Sequence, residues 1–373
     1  MRRAGLAIAC LLLAALAARA HAEDCVAAEA ARIPASIGRL ALLGTAEVAR
    51  PASGDAAQFG GISGLDYDPS TQRWYLLSDD RGERAAPRFY PAEIGIGPDG
   101  IRGIEVQAPI RLPIPAGEVP DPESLRILQC RNVVAWSSEG DRRLGLQPSV
   151  RLMTLQGQAL GELALPANLR LHPDVERGPR HNLSFEGLAS FPGSDRLWVS
   201  MEAPLYEDGP VASLKSGALL RFTRLSLRGG PSQQYAYPLE PIATPGTGGK
   251  KRADNGVSEI LSLSDDRLLV IERSGHEVSD GLYEFDVRLY EAERGDATDV
   301  VGVVSLAASP LVPMKKRLLL DLSTLGLAHL DNIEGAAWGP RLADGRATLM
   351  LAADDNFASN QRNQFLLFAV IGP

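Results

Sequence analysis

Carboxylates recur along this chain inside short, similar motifs. Four are Pro122-Glu123-Ser124-Leu125, Phe185-Glu186-Gly187-Leu188, Val257-Ser258-Glu259-Ile260 and Ile333-Glu334-Gly335-Ala336. A fifth, Gly61-Ile62-Ser63-Gly64-Leu65, keeps the plan without the acid. Each motif opens an apolar run, which turns at polar residues and returns through a second apolar run ending in acid. The returns are Ser78-Asp79-Asp80, Ser137-Ser138-Glu139, Ser200-Met201-Glu202, Ile271-Glu272-Arg273 and Ala353-Asp354-Asp355. If each pair is an antiparallel hairpin, its start and finish lie at one end, and the acids converge there. Gathered carboxylates repel, so they must be protonated, paired with a cationic side chain or bound to a metal ion. Oxygen ligands of this kind favour Ca²⁺ or Mg²⁺ over zinc. Glu123, Glu186, Glu259 and Glu334 are thus the candidate ligands of such a cation, with Glu272 and Asp354 as candidate general bases. Arg81, Lys251 and Arg273 are candidates to hold phosphate oxygens. The competing reading is structural: acids at strand ends cap turns by accepting backbone N–H bonds, and basic clusters are solvated faces.

Strands must position these residues. Runs such as Trp74-Tyr75-Leu76-Leu77, Val133-Val134-Ala135-Trp136, Leu197-Trp198-Val199 and Leu268-Leu269-Val270-Ile271 alternate with Gly, Pro, Asp and Ser clusters. No amphipathic helix longer than about three turns is evident after residue 22. The motif starts at 63, 123, 186, 259 and 334 are separated by 60, 63, 73 and 75 residues. The 39 residues after 334 and the 29 of segment 34–62 make 68, one more period. The expected fold is therefore an all-β propeller of five four-stranded blades, its ring closed by an N-terminal strand (Arg39 to Val48) beside Phe365 to Val370. Six blades remain an alternative, because the longer periods hold extra strand such as Lys316 to Leu322. A pair of β-sandwiches is the other alternative.

Arg2, Arg3, the apolar run Leu6 to Ala18 and the small-x-small site Ala20-His21-Ala22 read as a signal peptide over residues 1–22. The mature domain would be 23–373, periplasmic or secreted. Net charge is −8 over the whole chain and −11 without residues 1–22, since only arginines are lost. That balance disfavours nucleic acid and anionic membranes as partners. No later segment is long and apolar enough to span a bilayer. Cys25 and Cys130 survive cleavage, and in an oxidising compartment they are expected to form a disulfide rather than two buried thiols.

Other chemistries lack support. There is no Gly-x-Ser-x-Gly elbow, His-Glu-x-x-His or Cys-x-x-Cys. Gly95-Ile96-Gly97-Pro98-Asp99-Gly100 spells a dinucleotide fingerprint but places Pro98 where a helix should begin, and it reads as a hairpin turn. Asn182-Leu183-Ser184 is a glycosylation sequon only in a eukaryotic secretory route.

Several ordered motifs carry a resemblance. They include Phe59-Gly60-Gly61-Ile62-Ser63-Gly64-Leu65, Leu77-Ser78-Asp79-Asp80-Arg81, Asp121-Pro122-Glu123-Ser124-Leu125 and Asn182-Leu183-Ser184-Phe185-Glu186-Gly187-Leu188-Ala189. Asp254-Asn255-Gly256-Val257-Ser258-Glu259-Ile260, Leu269-Val270-Ile271-Glu272-Arg273, Asp331-Asn332-Ile333-Glu334-Gly335 and Ala353-Asp354-Asp355-Asn356-Phe357 complete the set. Over roughly residues 40–370 the chain resembles the phytase-like family labelled "esterase-like activity of phytase". The resemblance implies an exported propeller that hydrolyses phosphate or carboxylic esters, including lactones, at a small-molecule site assisted by calcium. A non-catalytic periplasmic propeller that binds a ligand or protein is the alternative, because fold does not determine function.

Overall fold

In the computed structural model the described residues are 23–50 and 58–372. The expected signal peptide lies outside them. Strand β1 (Arg39–Val48) comes first and is used last. Blade 1 holds β2 (Ile62–Asp68), β3 (Arg73–Ser78), β4 (Arg88–Gly97) and β5 (Gly100–Val106), with the short β6 (Ile110–Arg111) beside β4. Blade 2 holds β7 (Pro122–Leu128), β8 (Val133–Ser138), β9 (Ser149–Met153) and β10 (Ala159–Glu162). Blade 3 holds β11 (Phe185–Ala189), β12 (Arg196–Met201), β13 (Ala218–Ser226) and β14 (Gln233–Leu239). Blade 4 holds β15 (Gly256–Ser262), β16 (Arg267–Ser279), β17 (Leu282–Glu293) and β18 (Lys315–Asp321). Blade 5 holds β19 (Asn332–Trp338), β20 (Thr348–Asp354) and β21 (Asn363–Ile371), and β1 completes it by pairing antiparallel with β21, Leu40 opposite Val370 and Ala46 opposite Phe365.

The protein is thus an all-β, five-bladed propeller closed by its N-terminal strand. The six-bladed and sandwich alternatives fall. The segment that hinted at a sixth blade is β18, the fourth strand of blade 4. The two long periods hold connecting segments, 240–255 and 294–314, rather than another sheet. The fingerprint-like run forms the β4–β5 hairpin, with Gly97 opposite Gly100.

Packing explains the closure. Apolar residues on successive blades meet in five inter-blade cores: Leu76 with Met350, Leu77 with Leu125, Val134-flanking Ala135 with Leu188, Phe222 with Val270, and Leu269 with Leu351 all share clusters. Trp74, Trp136 and Trp198 are fully buried on β3, β8 and β12. Burial of one large apolar side chain stabilises by about 1.5–3 kcal/mol, so each interface contributes substantially. The circular arrangement leaves only the outer strand of each blade with an unpaired edge.

Residues 23–32 are helical and lie at the far end of the channel from the motif starts. There Arg32 donates to the Trp338 carbonyl, and Arg341 Nε donates to the Ala31 carbonyl at 2.7 Å. Cys25 is disulfide-bonded to Cys130, with Cα atoms 5.8 Å apart. No helix among the described residues is long and apolar enough to cross a membrane.

Candidate functional site

The innermost strands β2, β7, β11, β15 and β19 all begin at the same end of the channel. Each carries a bulge just after its start: between Ile62 and Gly64, Pro122 and Leu125, Phe185 and Leu188, Val257 and Glu259, and Ile333 and Gly335. A bulge re-aims the side chain of its extra residue. The equivalent residues are Ser63, Glu123, Glu186, Ser258 and Glu334. The two serines latch neighbouring blades: Ser63 Oγ donates to the Pro122 carbonyl at 3.1 Å and Ser258 Oγ to the Ile333 carbonyl at 3.0 Å. The three glutamates open onto a cavity of about 660 Å³.

The returning strands add a second set. The residues following the partners of Ile62, Pro122, Phe185, Val257 and Ile333 are Asp79, Glu139, Glu202, Arg273 and Asp354, and all five line the same cavity. Eleven carboxylates and three arginines line it in all. Ionised together, those acids would far outnumber their cationic partners.

The electrostatics follow from that imbalance. Burial first, then Glu186, Asp121, Glu139 and Asp79, pushes the Glu123 carboxyl well above its ordinary range. Burial and neighbouring acids do the same to Asp79, Glu139, Glu186 and Asp354. Burial pushes Glu202 up to about 7 against the pull of Arg273. Asp121 is pushed to about 7 by burial against the pull of Arg81. Without a bound cation, much of the mouth is therefore protonated at neutral pH. Asp80 behaves oppositely: Arg88, at 2.7 Å, and the backbone N–H groups of residues 82–85 hold it below the usual range.

Two arginines are engaged by carboxylates. Arg273 lies 3.2 Å from Glu202, 3.4 Å from Glu334 and 3.5 Å from Asp254. Arg81 pairs with Asp141 and lies 3.4 Å from Asp121. Two oxygen-only clusters share Glu139: Asp121, Glu123 and Glu139, and Glu139, Glu186 and Glu202, each with carboxylate oxygens within 4.8 Å of one another. Asp79 Oδ1 is buried without a hydrogen-bond partner. These observations fit a hard divalent cation, which would satisfy oxygens that now face one another.

The structure brings together Glu123, Glu186, Glu334, Asp354, Arg81 and Arg273. It places three other expected residues elsewhere. Glu259 is one residue out of register with the ring: it occupies the position of Gly64, Ser124, Gly187 and Gly335, and Ser258 is the ring equivalent. It fills the channel below the mouth, paired with Arg126 at 2.7 Å and accepting from Ser124 Oγ, Leu188 N and Ile260 N at 2.9–3.1 Å. Arg126 in turn donates to the carbonyls of Leu65, Leu125, Leu188 and Ile260, so this pair ties four blades at the axis. The neighbours must be small: a Cβ on Gly187 would lie 2.6 Å from Glu259 Oε1. Glu272 sits one residue before the mouth, buried beside Lys316 at 2.5 Å and accepting from the Tyr237 hydroxyl at 2.7 Å. Lys251 is exposed and does not line the cavity.

Sequence reasoning overlooked Arg84, Tyr283, Phe285 and Phe357 at the cavity wall. Tyr283 and Phe285 stand two residues apart on β17, the spacing that puts both on one face, and that was the available signal.

No curated protein matches the chain's sequence. Among solved structures, the catalytic domain of the GH62 alpha-L-arabinofuranosidase of Coprinopsis cinerea is 10% identical with a TM-score of 0.42, covering 90% of this chain and 98% of that one. An endo-1,4-beta-xylanase from Bacteroides thetaiotaomicron is 9% identical with a TM-score of 0.40, covering 84% and 96%. Likeness at that level says nothing about chemistry. The family comparison does reach the site, because the match to "Phytase-like: Esterase-like activity of phytase" spans residues 57–357 and so takes in every carboxylate of the mouth. The chain belongs to this phytase-like family.

Proposed function

We propose that the protein is an exported hydrolase of phosphate esters or other esters, assisted by a Ca²⁺ ion at its carboxylate-ringed mouth. The observation that carries this reading is the pair of oxygen-only clusters sharing Glu139 within a cavity large enough for a small-molecule substrate. Family membership supports the hydrolase class. The disulfide and the N-terminal apolar run support export.

Asp121, Glu123, Glu139, Glu186 and Glu202 would hold the ion. Glu334 stands beside them, held by Asn332 Nδ2 at 2.8 Å and by Arg273. When bound, calcium supplies charge neutralisation and polarises a phosphoryl or carbonyl oxygen. The chain's own groups do the rest. Arg273 and Arg81 orient the acids they pair with and are shared with substrate oxygens. Asp354, its carboxyl pushed well above the ordinary range by burial and by Asp79 and Glu334, takes a proton from the attacking water as the new bond to phosphorus or carbonyl carbon forms, and returns it to the leaving-group oxygen as the ester bond breaks. Its Oδ1 already accepts from Asn356 N at 2.7 Å, which fixes the carboxyl's orientation.

The test is hydrolysis of p-nitrophenyl phosphate and p-nitrophenyl acetate by the purified protein, with Ca²⁺ and with chelator. Calcium-dependent release from the phosphate supports phosphoester hydrolysis, and release from the acetate alone favours carboxylic esters. No turnover of either overturns the hydrolase reading in favour of a ligand-binding propeller.

A further inference from the structure

Arg84 is the cavity-lining arginine that no carboxylate engages among the described residues. Its guanidinium instead lies 4.6 Å from the centre of the Phe357 ring. Phe357 is held there at a cost. It and Asn356 have positive φ, 50° and 44°, a conformation that bulky L-residues rarely adopt. The turn is pinned by the acids beneath it: Asp354 Oδ1 accepts from Asn356 N at 2.7 Å, and Asp355 Oδ1 accepts from Phe357 N at 3.1 Å. Room for the ring is made by Gly61, where a Cβ would come within 2.5 Å of it. Arg50 also lies over this ring, at 5.3 Å, and is tied to Asp355 at 2.6 Å. With two guanidinium groups over it, the ring serves as a pedestal for cations rather than a stacking surface for substrate.

We infer that Arg84, supported by Phe357, is the receptor for an oxyanionic group of the substrate and a determinant of its specificity. The inference deepens the ester-hydrolase reading and rests on it for the identity of the ligand as substrate. Arg81 and Arg273 divide their donors between substrate oxygens and five carboxylate contacts, whereas Arg84 keeps its whole donor fork available to a phosphate or carboxylate. Stacking restricts the side chain, so less freedom is lost on binding. Strain in the 354–357 turn is what aims the pedestal at the cavity instead of outward.

The experiment is calorimetric binding of phenyl phosphate and of benzoate to the wild type, Arg84→Gln, Arg84→Lys and Phe357→Leu, with ester hydrolysis measured alongside. Arg84→Gln should weaken the preferred probe by about tenfold or more, raise KM and leave kcat near wild type. Arg84→Lys, which keeps the charge without the fork, and Phe357→Leu, which keeps the fork without the ring beneath it, should fall between. The tighter of the two probes identifies the oxyanion as phosphate or carboxylate. Wild-type affinity and KM in Arg84→Gln would overturn the receptor while leaving hydrolysis intact. Arg84-dependent binding in a protein that turns over no ester would sustain the receptor and defeat the hydrolase reading.

Discussion

Raising the pH of the metal-free protein should destabilise it, and calcium should remove the effect. Glu202 titrates at about 7 in the folded protein against an ordinary value of 4.5. Folding thus favours its protonated form. The stability this contributes is complete below about pH 4.5 and is lost as the pH rises through about 7. Each pKa unit corresponds to about 1.4 kcal/mol, so Glu202 alone accounts for roughly 3 kcal/mol. Asp121, raised from 3.8 to about 7, acts in the same direction. The two do not simply add, because both act on Glu139. At about 2–4 °C per kcal/mol, and less for a chain this long, Tm should fall by the order of 5 °C between pH 5 and 8. The acids held below their ordinary range, such as Asp80 and Asp141, titrate under that window. His181, pushed down by burial, opposes the trend as pH falls. Comparison with Glu202→Gln isolates the mouth. The assay is calorimetric melting at constant ionic strength, with chelator and with Ca²⁺. A chelated Tm that is flat or rises from pH 5 to 8, with the same slope in Glu202→Gln, would refute the reasoning.

Three further outcomes follow from the same contacts. Glu259→Gln should cost about 3–5 kcal/mol by leaving Arg126 buried without its counter-charge, yet keep activity per folded molecule, as melting and specific activity together would show. Asp208→Asn should cost a similar amount, because Arg221 is fully buried against Asp208 at 2.7 Å and 2.8 Å and clamps the Val300 and Val303 carbonyls onto blade 3. Hydrogen exchange should then rise first in residues 299–306. Cys25→Ser should destabilise by about 5 kcal/mol in the loop-entropy picture, since the bond closes a separation of 105 residues, and denaturant unfolding checks it.

The blades were legible because a hairpin repeat is written in alternation and turn residues, and because closure leaves a countable remainder at each chain end. The strands paired as expected at β1 and β21. The mouth was legible as a class of position, and register was where the reading slipped. Matching acids to acids put Glu259 with Glu334, whereas matching the apolar residues Leu65, Leu125, Leu188, Ile260 and Ala336 would have put Ser258 there. A one-residue slip changes which way a side chain faces, and here it separates the mouth from the axial plug. Glu272 slipped for the same reason, as the acid one place before Arg273. Arg84 and Phe357 were not legible in this way. Their relation depends on a left-handed turn and on a contact between segments some 270 residues apart, and neither leaves a periodic mark.

The most direct test of the calcium-assisted mouth is Glu139→Gln, the substitution common to both oxygen clusters, assayed for calorimetric Ca²⁺ binding and for ester turnover beside Glu259→Gln. The expected result is loss of both Ca²⁺ binding and turnover in Glu139→Gln, with both retained in Glu259→Gln. Ca²⁺ binding and turnover undiminished in Glu139→Gln would contradict it.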